Sequence, residues 1–171
     1  WHAAFGDVDN DGRTDIFIAK GNVDQMPENA MQDPNSLLMQ DADGRFREAS
    51  IAAGVASDAR SRGAALVDMN GDGLLDLAVV NRRAPLEVWR NVTPGTGHWL
   101  AVNLHQDGVN SHAVGAWIEV DDGASVQARE VTVGGGHAGG MAGPQHFGLG
   151  LVTAARVRVR WPHEDWSPWR D

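Results

Sequence analysis

Two copies of one acidic loop constrain this chain more than any other sequence feature. Residues 7–15 read DVDNDGRTD, and residues 68–76, which start 61 positions later, read DMNGDGLLD. Each copy has an acid or an amide at its first, third, fifth and ninth positions and a glycine at its sixth. Similar apolar segments flank the copies, AAFG and IFIA around the first and AALV and LAVV around the second. A repeated strand–loop–strand unit is therefore predicted.

The pattern of oxygen-bearing residues predicts two calcium sites. Side-chain oxygens at alternate positions, with a glycine that permits a sharp turn, suit a hard cation, and calcium tolerates irregular geometry better than magnesium does. The seventh residue of such a loop contributes its backbone carbonyl. The predicted ligands are Asp7, Asp9, Asp11, Arg13 and Asp15 for the first ion, and Asp68, Asn70, Asp72, Leu74 and Asp76 for the second.

These loops do not fit the EF-hand pattern, which needs a glutamate at position twelve and flanking helices. Position twelve is Ile18 in the first loop and Val79 in the second, and short β-branched segments follow both loops. We therefore expect calcium loops within β-hairpins, closed by the ninth-position aspartates. The alternative is that Asp, Asn and Gly simply form turns without metal. However, the four carboxylates within the nine residues of the first loop repel one another unless a cation neutralises them.

Composition narrows the fold and the partners. Twenty-one glycines and seven prolines in 171 residues interrupt helices, so an all-β fold is predicted. Acidic residues outnumber basic ones by 23 to 14, which argues against a nucleic-acid partner. No apolar run approaches the roughly 18 residues of a membrane-spanning helix. The chain starts at Trp1 rather than methionine, and we expect it to be an interior segment or a processed product.

A second β-rich region follows the loop NVTPGTG at 91–97. Apolar and polar residues alternate over 98–105 and 116–120, and Asp121-Asp122-Gly123 has the composition of a hairpin turn. In a later strand Arg156, Arg158 and Arg160 alternate with apolar residues, which predicts one basic solvated face. This region is predicted to form a small antiparallel β-sandwich or barrel.

The stretches FGDVDNDGRTDIFIAKGN and LVDMNGDGLLDLAVVN resemble the FG-GAP/VCBS repeats of integrin-type β-propellers. The resemblance covers residues 1–92 and implies that each repeat is one four-stranded blade, with the metal loop between two of its strands. Only about two blades are present, whereas the resemblance implies about seven, within the general range for propellers. Because a repeat cannot bury its faces without neighbours, we expect further blades or another chain to complete this partial propeller.

The segments NSHAVGAWIEV, QAREVTVGGGHAGGMAGPQHFGLG and VRVRWP resemble the ASPIC/UnbV domain that follows propeller repeats in the cartilage-acidic-protein-like family. We take residues 98–171 as this second domain. The resemblance brings no catalytic residues and implies a secreted or surface module.

The expected function is a non-enzymatic, calcium-binding module for protein interaction or scaffolding, located extracellularly, in the periplasm or at the cell surface. The expected partner is a protein or a glycan. One alternative is a structural subunit of a larger assembly at a membrane. Another is an accessory part of a carbohydrate-active enzyme, with His137 and His146 around a glycine-rich loop as its candidate site. Nothing in the sequence forms an acid–base pair or an activated nucleophile.

Overall fold

A computed structural model describes residues 1–22, 33–137 and 139–171, and within these ranges the regular structure is entirely β. The all-β prediction is confirmed, and no described helix has the length and apolar character needed to cross a membrane. The strands are β1 His2–Gly6, β2 Asp15–Ala19, β3 Ser36–Gln40, β4 Phe46–Glu48, β5 Ser61–Val67, β6 Asp76–Asn81, β7 Glu87–Trp89, β8 His98–Val102, β9 Trp117–Asp121, β10 Val126–Glu130, β11 Gln145–Gly150 and β12 Arg156–Arg160.

The chain divides into two compact units. Unit 1 comprises residues 1–8, 13–94 and 134–140, and unit 2 comprises residues 9–12, 95–133 and 141–171. The main change of unit, after Pro94, lies inside the predicted 91–97 connection. Two short segments, 9–12 and 134–140, group with the unit opposite to their neighbours in sequence. The domain limits 1–92 and 98–171 stay a prediction.

Unit 1 contains two antiparallel sheets, each built on one acidic loop. The first has the strand order β1-β2-β3-β4 and the second has the order β5-β6-β7. Each loop connects the first two strands of its sheet, between β1 and β2 and between β5 and β6. In β2, alternation places one face in the core, where Asp15, Phe17 and Ala19 are buried. The buried apolar core of unit 1 comprises Val8, Phe17, Ala19, Leu37, Val55, Ala64, Leu66, Leu75, Leu77 and Val79.

The second sheet of unit 1 departs from the four-stranded blade that the resemblance implies. Gln40 and Asn91 hold equivalent positions, because their amides donate to Oδ1 of Asp15 and Asp76, at 2.9 and 2.8 Å. A glycine with positive φ follows each of them by four residues. In the first sheet the chain then forms β4, whereas in the second it continues into β8, which pairs with β11. In the described residues the second sheet therefore has three strands.

Unit 2 contains a three-stranded sheet of order β10-β9-β12 and a two-stranded sheet of β11 and β8, all antiparallel. The alternation noted over 116–120 has its apolar residues inside, since Ala116, Ile118 and Val120 are buried. They share one apolar core with Phe147 and Leu149 of β11. Leu100 and Val102 of β8 pack against this core. Two antiparallel sheets therefore share one apolar core, and a small sandwich or barrel stays a prediction for this region.

The arginine face of β12 is more covered than the alternation predicts. The segment after β12 runs back along it, with backbone hydrogen bonds between Val157 and Arg170 in both directions and from the Ser167 amide to the Val159 carbonyl. The Arg158 guanidinium lies 4.7 Å from the Trp166 ring centroid and 4.5 Å from that of Trp169. Contacts at this range are cation–π interactions. Trp166 and Trp169 therefore partly cover the arginine face of β12, which was expected to be solvated.

Candidate metal centre

The two acidic loops share one backbone conformation. Positions four and six have positive φ in both loops, with values of 59° and 89° at Asn10 and Gly12 and of 76° and 85° at Gly71 and Gly73. This left-handed region is easily reached by glycine and is tolerated by asparagine. The sixth-position glycine therefore serves the turn that the sequence predicted for it. A difference between the loops must come from their side chains.

The ninth-position aspartates tie each loop to its sheet. Oδ2 of Asp15 accepts the Val8 amide at 2.9 Å, and Oδ2 of Asp76 accepts the Met69 amide at 3.0 Å. The other carboxylate oxygen of each aspartate accepts an amide from the following strand region, as described above. Both aspartates are buried. Because an ionised carboxylate oxygen has more than one lone pair, these hydrogen bonds leave capacity for a cation.

Three carboxylates of the first loop converge. One oxygen from each of Asp7, Asp9 and Asp15 lies within 4.8 Å of the others. Asp7 and Asp15 are each only 1% exposed, and Oδ1 of Asp9 is buried without a hydrogen-bond partner. Crowded, desolvated carboxylates repel one another, and an unsatisfied buried acceptor is costly. A cation answers both problems, so this cluster can hold a metal ion.

The other predicted ligands of the first loop lie outside this three-carboxylate group. Asp11 is half-buried and does not belong to the group. The Arg13 side chain turns toward β3, where its Nε donates to the Gln40 carbonyl at 3.0 Å. Coordination by Asp11 and by the Arg13 carbonyl stays a prediction.

In the second loop, the side-chain oxygens of Asp68 and Asp72 accept hydrogen bonds from other residues of the same loop. Asp68 accepts the amides of Gly71 and Gly73 at 2.7 and 2.8 Å. Asp72 accepts the Leu74 amide at 3.1 Å, and its other oxygen accepts the Asn70 amide group at 2.8 Å. Among the described residues, the acidic side chains of this loop do not form a three-carboxylate group. The second calcium site, with Asp68, Asn70, Asp72, Leu74 and Asp76, stays a prediction.

Arg90 and Asn91, which follow β7, also make contacts at the second loop. The spacing of the predicted ligands did not indicate these two residues. Arg90 forms an ion pair with Asp72, with Nη2 and Oδ2 3.0 Å apart. The Asn91 side-chain amide donates to the carbonyls of Val8 at 2.7 Å and Leu75 at 3.2 Å. An alignment of the two repeats that extends past the loops would have identified these positions. Asn91 follows β7 in the second repeat, and its equivalent Gln40 ends β3 in the first.

The two histidines considered for a catalytic site belong to different units. His137 lies in unit 1, where its ring centroid is 5.2 Å from that of Trp1. His146 lies in unit 2, where its ring stacks on Trp99 at 6.0 Å. Each ring therefore packs on a tryptophan of its own unit.

Comparison with known proteins agrees with both halves of this description. An FG-GAP-like repeat family matches residues 7–79, which include both acidic loops, and the ASPIC and UnbV family matches residues 106–170. Cartilage acidic protein 1 from Mus musculus is 27% identical over 160 residues, and the Homo sapiens and Xenopus tropicalis proteins are each 28% identical over the same length. The aligned region is 91% of this chain and 24% of each relative, so the chain spans about a quarter of their length. The chain is thus an FG-GAP-like repeat region followed by an ASPIC/UnbV domain, with distant similarity to cartilage acidic protein 1.

Proposed function

We propose that this chain is a non-catalytic module, stabilised by calcium, that serves protein interaction or scaffolding outside the cytoplasm. The observation that carries the proposal is the convergence of Asp7, Asp9 and Asp15 with a buried, unpartnered oxygen on Asp9. Three carboxylates supply the hard oxygen ligands that calcium prefers, and the irregular loop suits its flexible coordination.

Calcium would act here through the stability of the sheet. The Asp15 carboxylate accepts the Val8 amide, at the start of the loop, and the Gln40 amide, at the end of β3. An ion bound by this carboxylate would therefore hold β1, β2 and β3 in one arrangement. Because the unfolded chain lacks the site, the free energy of binding would appear as resistance to unfolding.

The scaffold role draws support from the open edge of the second sheet. β7 pairs with β6 and has no second strand neighbour among the described residues. Leu86 and Val88 are 60% and 56% exposed there. Exposed strand edges readily pair with another strand. We propose that a protein segment, from further blades or from another chain, covers this edge.

The alternative of a carbohydrate-active accessory rests on His137 and His146, whose rings pack on Trp1 and on Trp99. The alternative of a structural subunit in a membrane-associated assembly is compatible with the same β7 edge. An extracellular, periplasmic or surface location is also proposed, from the resemblance to the ASPIC/UnbV domain, which implies a secreted or surface module, and from the proposed calcium binding. Both loops are proposed to bind, giving two calcium ions per chain.

Calcium binding and its effect on unfolding test the proposal together. Isothermal titration should detect binding, and thermal unfolding should occur at a higher temperature in calcium than in chelator. At one hundred times Kd the gain should be about 2.7 kcal/mol. Asp9→Asn keeps the side-chain shape and removes one ligand charge, so it should weaken binding at the first loop by at least about tenfold.

Asp43→Asn is the matched control. Asp43 lies in the exposed β3–β4 turn, where its Oδ1 accepts the Arg45 amide at 3.1 Å. This substitution changes net charge equally but should leave calcium affinity unchanged. A folded wild-type protein with no calcium binding, and with equal melting temperatures in calcium and chelator, would refute the calcium proposal.

A further inference from the structure

We infer that the second acidic loop promotes a covalent change in itself, the loss of ammonia from the side-chain amide of Asn70. The backbone nitrogen of Gly71 is the nucleophile, and the Asp68 carboxylate accepts its proton. This modification site goes beyond the proposed function, because the reaction needs no bound metal.

The sequence singles out Asn70 among the asparagines. It is followed by glycine, and no other asparagine of the 171-residue sequence is. The reaction closes a five-membered succinimide ring between the asparagine side chain and the next backbone nitrogen. A Cβ on the next residue crowds that nitrogen, whereas glycine leaves it open. The position of a Cβ at Gly71 has nothing within 4 Å beyond its chain neighbours, so ring closure is least hindered here.

The nitrogen that attacks is hydrogen-bonded to a proton acceptor. An amide nitrogen is a poor nucleophile until it loses its proton, and an adjacent base activates a weak nucleophile. The Gly71 amide donates to Oδ1 of Asp68 at 2.7 Å. A general base takes a proton over this kind of distance. Asp68 therefore holds an acceptor against the nitrogen whose proton must leave.

The amide that is attacked is polarised by another residue of the loop. Oδ1 of Asn70 accepts the backbone amide of Asp72 at 3.0 Å. Negative charge develops on this oxygen when Gly71 attacks, and an N–H donor already in place stabilises such charge. Nδ2 of Asn70 donates to Oδ2 of Asp72 at 2.8 Å. Asp72 thus fixes the orientation of both the carbonyl oxygen and the leaving nitrogen.

The reaction balances with water as its co-reactant. The Gly71 nitrogen forms a bond to Cγ of Asn70 while its proton moves to Asp68. The intermediate then expels the side-chain nitrogen, which takes up that proton and leaves as ammonia, and a succinimide remains. Water opens the ring at either carbonyl and gives an aspartate at position 70 or its β-linked isomer. Asn70 and Gly71 are exposed, so water reaches the ring.

The product alters the charge and the contacts of the loop. An aspartate at position 70 gives the second loop acids at its first, third, fifth and ninth positions, as in the first loop. The hydrogen bond from Asn70 to Asp72 is then replaced by repulsion between two carboxylates. The β-linked isomer adds a methylene group to the backbone of the connection between β5 and β6. Either product makes this exposed turn more negative.

The test follows the Asn70 amide over time in the full chain at neutral pH, in chelator so that bound metal has no part in the result. Trypsin releases residues 63–82, and tandem mass spectrometry locates the mass gain that accompanies loss of an amide. Isomerisation at the Asp-Gly pairs of the chain leaves mass unchanged and does not interfere. Asn81 is the internal control in the same peptide, because it is 9% exposed and precedes Arg82.

Four samples are compared: folded wild type, wild type unfolded in guanidinium chloride, Asp68→Asn and Asp43→Asn. Asp68→Asn keeps an oxygen that can accept the Gly71 amide and removes the base. Asp43→Asn is the matched control, because Oδ1 of Asp43 accepts the Arg45 amide at 3.1 Å in an exposed turn. Circular dichroism verifies folding of the variants, and the comparison of folded with unfolded wild type needs no variant.

We expect folded wild type to lose the Asn70 amide about tenfold faster than the unfolded chain, less than a base in an enclosed active site gives, since Asp68 is only half-buried. Asp68→Asn should remove most of this acceleration, and Asp43→Asn should keep it. In the folded protein Asn81 should retain its amide.

Equal or slower loss in the folded protein would overturn the inference, because the fold would then not promote the reaction. Loss at the wild-type rate in Asp68→Asn would overturn it as well, since the loop would act without its base. Equal loss from Asn81 in folded wild type would show that the loop has no selective effect. Calcium titration of the same protein tests the proposed function separately.

Discussion

At the scale of single residues, the ninth-position aspartates show how one side chain can serve both fold and site. Asp15 and Asp76 each accept two backbone amides, one from their own loop and one from the next strand region. The sequence predicted them as closing ligands. Their place at the loop end follows from the pattern, but their second hydrogen bond depends on a strand that arrives from more than ten residues away, which the pattern does not specify.

Outside the acidic loops, hydrogen-bond donors lower the pKa of Asp121. The Gly123 amide, which donates to Asp121 at 2.8 Å, and then the Arg156 guanidinium hold the pKa of Asp121 below its ordinary value. We expect Arg156→Gln to raise the pKa of Asp121 toward that ordinary value, because one donor and its charge are lost. Nuclear magnetic resonance titration of the Asp121 carboxyl carbon measures the change.

The same pair predicts the sign of a pH effect on stability. A pKa that is lower in the folded state stabilises the protein above the unfolded value, about 3.9, and this contribution is lost as pH falls through the folded value. Arg156→Gln should therefore melt below wild type at neutral pH, and the difference should vanish in acid. Arg160→Gln, on the same strand, is the control and should not move the pKa of Asp121. An unchanged pKa in Arg156→Gln would contradict the prediction.

At the scale of elements, a glycine-rich segment lies against β1 within unit 1. His2 is 5% exposed, and burial lowers its pKa below the ordinary value. The His137 amide donates to the Trp1 carbonyl at 3.1 Å. A Cβ added at Gly136 would lie 2.6 Å from His2 Cα. The lack of a side chain at Gly136 therefore allows the backbone to approach β1 closely.

Gly136→Ala should therefore destabilise unit 1. The added methyl group would meet His2 backbone rather than a flexible side-chain end, and overpacking of this kind costs about 1–3 kcal/mol. Urea unfolding measures the loss. Gly134→Ala is the matched control, since a Cβ there meets nothing within 4 Å. Equal stabilities for the two variants would show that residues 134–140 do not pack tightly on β1.

At the scale of the whole molecule, the net charge of −9 opposes compaction. In chelator we expect sodium chloride to raise the melting temperature, because screening weakens the repulsion among carboxylates. In calcium the same salt should help less, since bound ions already neutralise the loop. Thermal unfolding across a salt series, with and without calcium, measures both slopes. Equal slopes in the two conditions would argue that the loops contribute little to the repulsion.

Whether further structure completes the two repeats is also a question about the whole molecule. The chain spans about a quarter of each cartilage acidic protein 1 relative, and the second sheet has an open edge at β7 among the described residues. Completion of the repeats by further blades or by another chain stays a prediction.

The sequence by itself determined the local features: the acidic loops, their flanking strands, the alternating faces of β9 and β12, and the FG-GAP-like and ASPIC/UnbV character of the two regions. These follow from nearest neighbours, turn residues and period-two alternation, which act over a few positions. Only the tertiary structure decided that β8 pairs with β11 instead of joining the second sheet, that Trp166 and Trp169 lie against Arg158 of β12, and that Arg90 pairs with Asp72. Such contacts join residues distant in sequence, and their energies depend on how whole sheets pack.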